Sequence, residues 1–397
     1  MTQVQTSATA VTTRWVGVGL SETADSRAAA AEAVTAALAG AIGPAKAFVV
    51  FCSDDYDLPT LAAALQVAVG GAPVIGCSTA GEIATGHAGD AGVVVVAFGG
   101  DGFSAATAVG TGAADDPRAA GEAAAACLHD VDDLPHKVVL LLSDGLSGGQ
   151  QDVIRGAYGA VGATIPLVGA CAGDQLKMVR TFQLYGDRVL DGAVVGLALA
   201  SDAPFGVGVR HGWRKVGEPV VVTKSDATRV YLLDDEPALD VYLRRLGAPA
   251  EVYEDPAAFT RFAMTHPLGV DRRGGEEVRL VVGGDFDERS LGFIASVPQG
   301  GLASFMEGDE ETVLGATDDA CAEALDGLDG RAPIGVLAFD CVARRGVIGD
   351  LVADEVARID RLVGGAPVAG FYSYGEIART RGINGFHNQT LVVLAVS

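Results

Sequence analysis

The chain has 397 residues, more than one ordinary hydrophobic core takes up, so two or three domains are expected. Hydrophobic residues make up 49%, and 28 Lys+Arg against 51 Asp+Glu give a formal net charge of −23; a surface that acidic repels phosphate backbones and anionic lipid, which argues against nucleic acid and membrane surfaces as partners. The six cysteines, at 52, 77, 127, 171, 321 and 341, form no C-x-x-C pair, so neither a zinc ribbon nor a disulfide framework is indicated, which suits a reducing cytoplasm.

Residues 1–13 lack both a basic n-region and an apolar h-region and read as a disordered tail. A first unit then runs through strand Trp15–Leu20, helix Ala24–Leu38, strand Ala47–Cys52, helix Leu58–Val69, the phrase PVIGCSTAGE at Pro73–Glu82 and strand Val93–Phe98. A second repeats the order with strand Ser104–Val109, helix Pro117–Leu128, strand Lys137–Leu142, helix Gln150–Val161, the phrase PLVGACAGD at Pro166–Asp174 and strands through Leu199. After a break near Ser201–Pro204, the alternating stretches Glu218–Thr223, Arg229–Leu233 and Val278–Val282, with glycine pairs at 283–284 and 300–301, predict antiparallel hairpins around one helix, Pro237–Leu246. A third unit follows: strand Leu302–Met306, helix Glu310–Leu325, strand Ile334–Phe339, helix Val347–Leu362, the phrase PVAGFYSYGE at Pro367–Glu376 and strand Thr390–Val396. Asp25, Asp115 and Asp309 read as helix N-caps. The apolar runs Gly92–Phe98, Val138–Leu142 and Ala193–Ala200 are strand-length, short of the ~20 residues a spanning helix needs.

The expected fold is therefore α/β: three repeated β-α-β-α-β-β units of about 100 residues each, a typical domain size, forming layered sheets, with a β-rich insertion in the C-terminal half. The domains predicted are 14–203, holding two units, and 204–397, made of a β-rich segment 204–300 and the third unit 302–397.

The strand-end phrases carry the candidate chemistry. Proline opens each strand without surrendering a needed donor, and the glycines permit tight turns. The closing acids Glu82, Asp174 and Glu376 can meet a ligand amine or cap a neighbouring turn. The residues that vary between copies, Cys77, Ser78 and Thr79 in the first and Tyr372 and Tyr374 in the third, offer different chemistry on a common frame. His387 and Asn388 follow a glycine-containing turn, where imidazole and carboxamide can hold a carboxylate, bind a metal or tie down backbone. Gly145-Leu146-Ser147-Gly148-Gly149 matches the G-x-S-x-G pattern of a nucleophile elbow. A hydrolase built on Ser147 would need an acid and a histidine such as Asp174 and His211. The predicted strand ends at Leu142, too far upstream for a tight elbow, so the chain is read as a binding protein rather than an enzyme. Neither a Walker A loop nor a G-x-G-x-x-G fingerprint occurs.

GFYSYGEIART followed by GFHNQTLVVLAV, GWRKVGEPVVVTKSDATRVYLLDDEPALDVYLRRLG at 212–247 and VVGGDFDERSLGFIASVPQGGLASFME resemble the C-terminal domain of the FIST family. GCSTAGEI and LVGACAGD resemble its N-terminal domain. The resemblance implies a bacterial sensory module that binds a small, amino-acid-like ligand, with a heme and nitric-oxide-sensing branch as an alternative. A ligand-free interaction scaffold is a further alternative. No effector segment is recognisable in the chain, so signalling is expected to pass to a separate protein such as a kinase or receptor. No cofactor or metal is expected; heme would have to be non-covalent, since no C-x-x-C-H motif occurs.

Overall fold

A computed structural model describes residues 13–272, 275–380 and 385–397. The tail expected at 1–13 lies, apart from residue 13, outside them.

Three six-stranded sheets share one strand order. The first runs Trp15–Ser21, Val93–Gly99, Ala45–Cys52, Val74–Ser78, Gln183–Tyr185, Arg188–Leu190. The second runs Phe103–Thr111, Ala193–Ser201, His136–Ser143, Leu167–Cys171, Glu376–Arg379, Phe386–His387. The third runs Phe205–Arg210, Leu391–Val396, Gly335–Cys341, Val368–Ser373, Glu82–Ala84, His87–Gly89. In each, the central strand is parallel to the phrase strand, and every other neighbouring pair is antiparallel.

The last two strands of each sheet come from a different part of the chain. The hairpin after the first phrase completes the third sheet. The hairpin after the second phrase completes the first sheet, and that after the third phrase completes the second. The exchange closes a cycle, so no sheet is complete from contiguous sequence.

The inner faces of the three sheets meet in one central core. Phe51, Phe339 and Phe371 touch there, with ring centroids 4.9–6.1 Å apart, among Val94, Leu140, Leu197 and Leu394. Helices cover the outer faces. Burial on both sides explains the unbroken Val/Leu/Ile runs of the central strands, although only one strand pair per sheet is parallel.

The third unit departs from expectation at its start. Leu302–Glu307 pairs with Arg214–Asp226 and Leu268–Arg272 in a separate sheet, while Phe205–Arg210 takes the edge of the third sheet. The reason is packing against the helix. A Cβ on Gly206 or Gly208 would collide with the carbonyls of Ala324 and Ala320 in helix Glu310–Asp326, as one on Gly17 or Gly19 would with Ala37 and Ala33 in helix Ser26–Ala37. The edge strand must carry small residues where the helix lies on it, and Leu302–Glu307 has none so spaced. The β-rich region is thus inserted between the third unit's first strand and its first helix.

That inserted region is an eight-stranded sheet with helices Ala238–Arg245 and Pro256–Met264. Its own core includes Val222, Leu239, Tyr242, Phe259 and Phe305. Gly283-Gly284 lies inside strand Val281–Asp285 rather than at a turn, because Leu239 and Phe259 crowd the position a Cβ would take at Gly284. Two helix starts also shift. Asp116, not Asp115, caps helix Pro117–Ala125, since proline at the first helical position puts the cap directly before it. The last unit's second helix begins at Val342, straight off its strand, and is broken by a 3-10 turn at Gly349–Leu351 before Val352–Leu362.

Candidate functional site

The first phrase is saturated with internal hydrogen bonds. Ser78 Oγ donates to the Gly173 carbonyl at 2.7 Å and accepts from Phe182 N–H at 2.9 Å, tying the first unit to the second. Thr79 Oγ1 donates to Glu82, whose other oxygen accepts from Gly92 N–H at 2.9 Å. Cys77 is fully buried, and burial pushes its thiol well above the ordinary range.

Glu376 repeats the arrangement of Glu82. Ser373 Oγ donates to Oε1 at 2.8 Å, and Thr390 N–H donates to Oε2 at 3.2 Å. Burial raises Glu82 to about 7 and Glu376 to about 8. The matching residue of the second unit is Gln183, not Asp174: Gln183 opens the exchanged hairpin, and its Oε1 accepts from Ala193 N–H at 3.2 Å. Each of the three ties its hairpin to the start of the unit's last strand. A glutamine serving at one of these positions indicates that the device needs an acceptor, not a charge.

Asp174 does different work. It accepts from the backbone N–H groups of Met178, Val179 and Arg180 at 2.7–3.0 Å and from the Tyr374 hydroxyl. Burial raises its pKa, but these bonds outweigh it and hold the carboxyl below the usual range. Tyr374 also accepts from Leu176 N–H at 2.7 Å. Residues 174–180 are thereby folded into a tight loop, with Gln175, Leu176 and Met178 at φ of 54–63°.

The acids that end the central strands diverge. Asp54 and Asp55 share Lys177 Nζ, each at 2.9 Å. Asp144 accepts from Leu146 N–H, Ser147 N–H and Ser147 Oγ at 2.7–2.8 Å. The hydroxyl of Ser147 thus engages a carboxylate, while His211 Nδ1 accepts from Trp213 N–H. Asp340 and Glu355 hold the fully buried Arg344 at 2.6 and 2.7 Å.

A cleft of about 890 Å³ opens between the second unit, the third unit and the inserted region. The second unit contributes Gly145–Leu146 and Gly148–Asp152, where helix Gln150–Val161 begins. The third contributes Cys341–Ala343, Gly346, Tyr374, Phe386 and Asn388, and the insertion Thr228, Val281, Ile294 and Ser296. Most of the wall is aliphatic or aromatic. Ser296 Oγ donates across it to Gln151 Oε1 at 2.5 Å, a direct link between insertion and second unit. Arg155, the one cation among the described lining residues, is paired with Asp152 at 2.9 Å.

Asn388 stands apart. Its side chain is buried, 1% exposed, and among the described residues neither Nδ2 nor Oδ1 has a hydrogen-bond partner. Leaving a buried carboxamide unpaired costs about 1–3 kcal/mol per group; single atoms of Tyr372, Gln183 and Gln389 are also unpaired, but Asn388 alone among these borders the cleft and has both ends unpaired.

Of the residues singled out in the sequence, Tyr374 and Asn388 meet in this cleft. Cys77, Ser78, Thr79, Glu82, Asp174 and Glu376 are engaged inside the frame. Tyr372 is buried under the Arg345 guanidinium, 4.8 Å from its ring centre. His387 lies beside the cleft, its Nε2 3.0 Å from the Ala378 carbonyl oxygen, and burial lowers its pKa. Sequence reasoning missed the cleft's other walls. The one signal for the helix wall was Gly148-Gly149, where an acidic or hydroxyl cap would ordinarily stand.

Models of the FIST N domain and the FIST C domain match residues 46–236 and 238–379. This chain belongs to the FIST family. FIST domains are signal-transduction sensory domains. The boundary between the two family matches falls inside the inserted region, so the third sheet of this FIST protein draws on both. An uncharacterized protein of Mycobacterium tuberculosis is 29% identical over 388 residues, covering 94% of this chain and 97% of its own. An uncharacterized Mycobacterium bovis protein is 31% identical over 224 residues, covering 52% and 54%. Among solved structures, a cyanuric acid hydrolase from A. caulinodans aligns over 97% of this chain and 100% of its own with 11% identity and a TM-score of 0.35, too distant to bear on fold or chemistry.

Proposed function

We propose that this FIST protein is a sensor that binds a small metabolite in the cleft between its second unit, third unit and inserted region, and signals to a separate protein partner. The observation that carries the reading is the unpaired Asn388 carboxamide in a wall otherwise mostly apolar, the usual composition of a small-molecule site. Because the walls come from three parts of the fold, an occupant would draw the insertion toward the frame. A ligand shifts a conformational equilibrium by its differential affinity for the two states, and the closed state is the one a partner would read. Of the amino-acid-like ligand expected from the sequence, the wall matches only an apolar side chain; it does not match a free carboxylate, since Arg155 is paired with Asp152. The reading is of a binding protein, supported by the engagement of Ser147 with Asp144 rather than with an imidazole. All six cysteines are buried and unpaired, which supports a reducing, cytoplasmic setting. No helix among the described residues is long and apolar enough to cross a membrane.

The test is thermal unfolding of the wild-type protein and of Thr228→Trp against pools of amino acids, organic acids, amides and heme. Thr228 is an exposed turn residue at the rim, so the indole obstructs the cleft at little cost to the fold. A pool that raises Tm in the wild type and not in the variant supports the reading, since a ligand stabilises the state it binds by mass action. Shifts equal in both proteins, or none in either, overturn it.

A further inference from the structure

Resting on the cleft as the ligand site, we propose that its ligand carries an uncharged amide head, a lactam or primary carboxamide, on an apolar body, and that Asn388 reads this head through two hydrogen bonds. A carboxamide presents one acceptor and two donors in a plane. Both ends of Asn388 are unpaired but have almost no accessible surface, so the proposal includes a rotation of the side chain into the cleft. The complementary group then has an N–H and a C=O side by side: the ligand N–H donates to Oδ1, and the ligand carbonyl accepts from Nδ2. A group that supplies only acceptors leaves Oδ1 buried and unsatisfied.

Charge separates an amide from a carboxylate. Arg155, the cation on the described wall, is already paired with Asp152, and the protein as a whole carries −23. A carboxylate entering the cleft would lose its hydration with no free cation on that wall to meet it. An amide has no such cost. A second feature favours a carbonyl oxygen. Helix Gln150–Val161 starts at Gly149 with no side-chain cap, and its first turn forms part of the wall. Uncapped helix amides carry partial positive charge and favour an acceptor. Among the described residues, five α-helices open on an Asp whose side chain accepts from one first-turn amide; Ala238–Arg245, Val342–Ile348 and Val352–Leu362, like Gln150–Val161, have no side-chain cap. The aliphatic wall, including Leu146, Val281, Ile294 and Phe386, then takes the apolar body, and a cleft of about 890 Å³ holds a bicyclic ring with room to spare.

Calorimetric titration with three ring probes of similar size tests the assignment. 2-Quinolone has the lactam edge. N-Methyl-2-quinolone lacks its donor, and 1-naphthoate replaces the edge with a carboxylate. The expected result is that 2-quinolone binds the wild type at least about tenfold more tightly than either analogue, one lost hydrogen bond being worth about 1.4 kcal/mol. Asn388→Asp, which removes the donor, and Asn388→Leu, which removes both groups, should each abolish that preference, with unliganded Tm recorded to show that the variants fold. If 1-naphthoate binds as tightly as 2-quinolone, or N-methylation has no effect, the amide assignment falls. If none of the three probes binds while a metabolite without an amide group shifts the wild type and not Thr228→Trp, the amide assignment falls and the cleft stands; an amide metabolite that does so supports both. If nothing binds in a manner sensitive to Thr228→Trp, the cleft reading itself falls.

Discussion

The strand ends of the first and third sheets are built on the same pattern and end in opposite conditions. In the first, Ser78, Thr79 and Glu82 are all engaged in hydrogen bonds, to the next unit or to one another. In the third, the inner pair Ser373–Glu376 copies this arrangement, but the residues around it do not close. Asn388 is left unpaired, and Tyr374 is turned toward a loop of the second unit. Where duplicated units share a frame, shared residues serve the frame; single unpaired atoms occur in the first sheet too, at Trp15 and Gln183, but among the described residues only the carboxamide of Asn388 is unpaired at both ends beside the cleft. The insertion sits on the third unit, so the unsatisfied copy is also the one with extra walls around it.

The sharpest way to break this comparison is to remove a frame residue that has no counterpart in the cleft. Arg344 is fully buried between Asp340 and Glu355. Arg344→Met leaves two buried carboxyls without their cation, and removing one partner of a buried pair typically costs about 3–5 kcal/mol. Urea denaturation should show a loss of that order. A loss below about 1 kcal/mol would mean that this part of the third unit is not rigid frame.

A smaller effect, with a pH signature, is expected at the paired glutamates. Glu82 and Glu376 are raised from 4.5 to about 7 and about 8 by burial, so the folded protein favours their protonated forms. Their contribution to stability is complete below pH 4.5 and is lost as pH rises through 7 and 8. Glu82→Gln and Glu376→Gln, which copy Gln183, should flatten the fall in stability between pH 5 and 8.5 and raise Tm at the alkaline end. A wild-type Tm independent of pH across that range would contradict the assignment. Ser78→Ala, which strands the Phe182 amide and the Gly173 carbonyl, should cost about 1–3 kcal/mol at every pH, measurable in the same denaturation series.

Much of this architecture was legible in the chain. Helices such as Gln150–Val161 and the capped starts at Asp25 and Asp309 follow from local chemistry, and the apolar central strands from burial on both faces. The exchanged hairpins were not legible, because Glu82–Ala84 and Gln183–Tyr185 are three-residue strands whose pairing is set by packing between units. The edge strand Phe205–Arg210 did carry a signal. GVG at 206–208 repeats GVG at 17–19, and both face a helix too close for a side chain. The equation of Asp174 with Glu82 failed for a related reason. The second phrase holds an extra loop, residues 174–182, before its hairpin, so the functional match lies nine residues downstream in Gln183. At the site, Tyr374 and Asn388 were among the residues singled out, whereas the walls from the insertion depend on how it folds back over the second unit, which no local pattern encodes.

The least disruptive test bears most directly on the difference between the two strand ends. If Asn388 were part of the frame, replacing it would cost stability as Ser78→Ala does. With no partner for either end of the carboxamide, Asn388→Leu exchanges an unsatisfied buried group for an apolar one of similar volume, which is commonly neutral or stabilising. Its unliganded Tm should equal or exceed that of the wild type, by no more than a few degrees for a gain of about 1 kcal/mol. A fall of the size seen for Ser78→Ala would place Asn388 with the satisfied residues of the first sheet and remove the distinction between the two ends. An unchanged or raised Tm means that the fold itself makes no use of this side chain, which leaves the cleft's occupant as its partner.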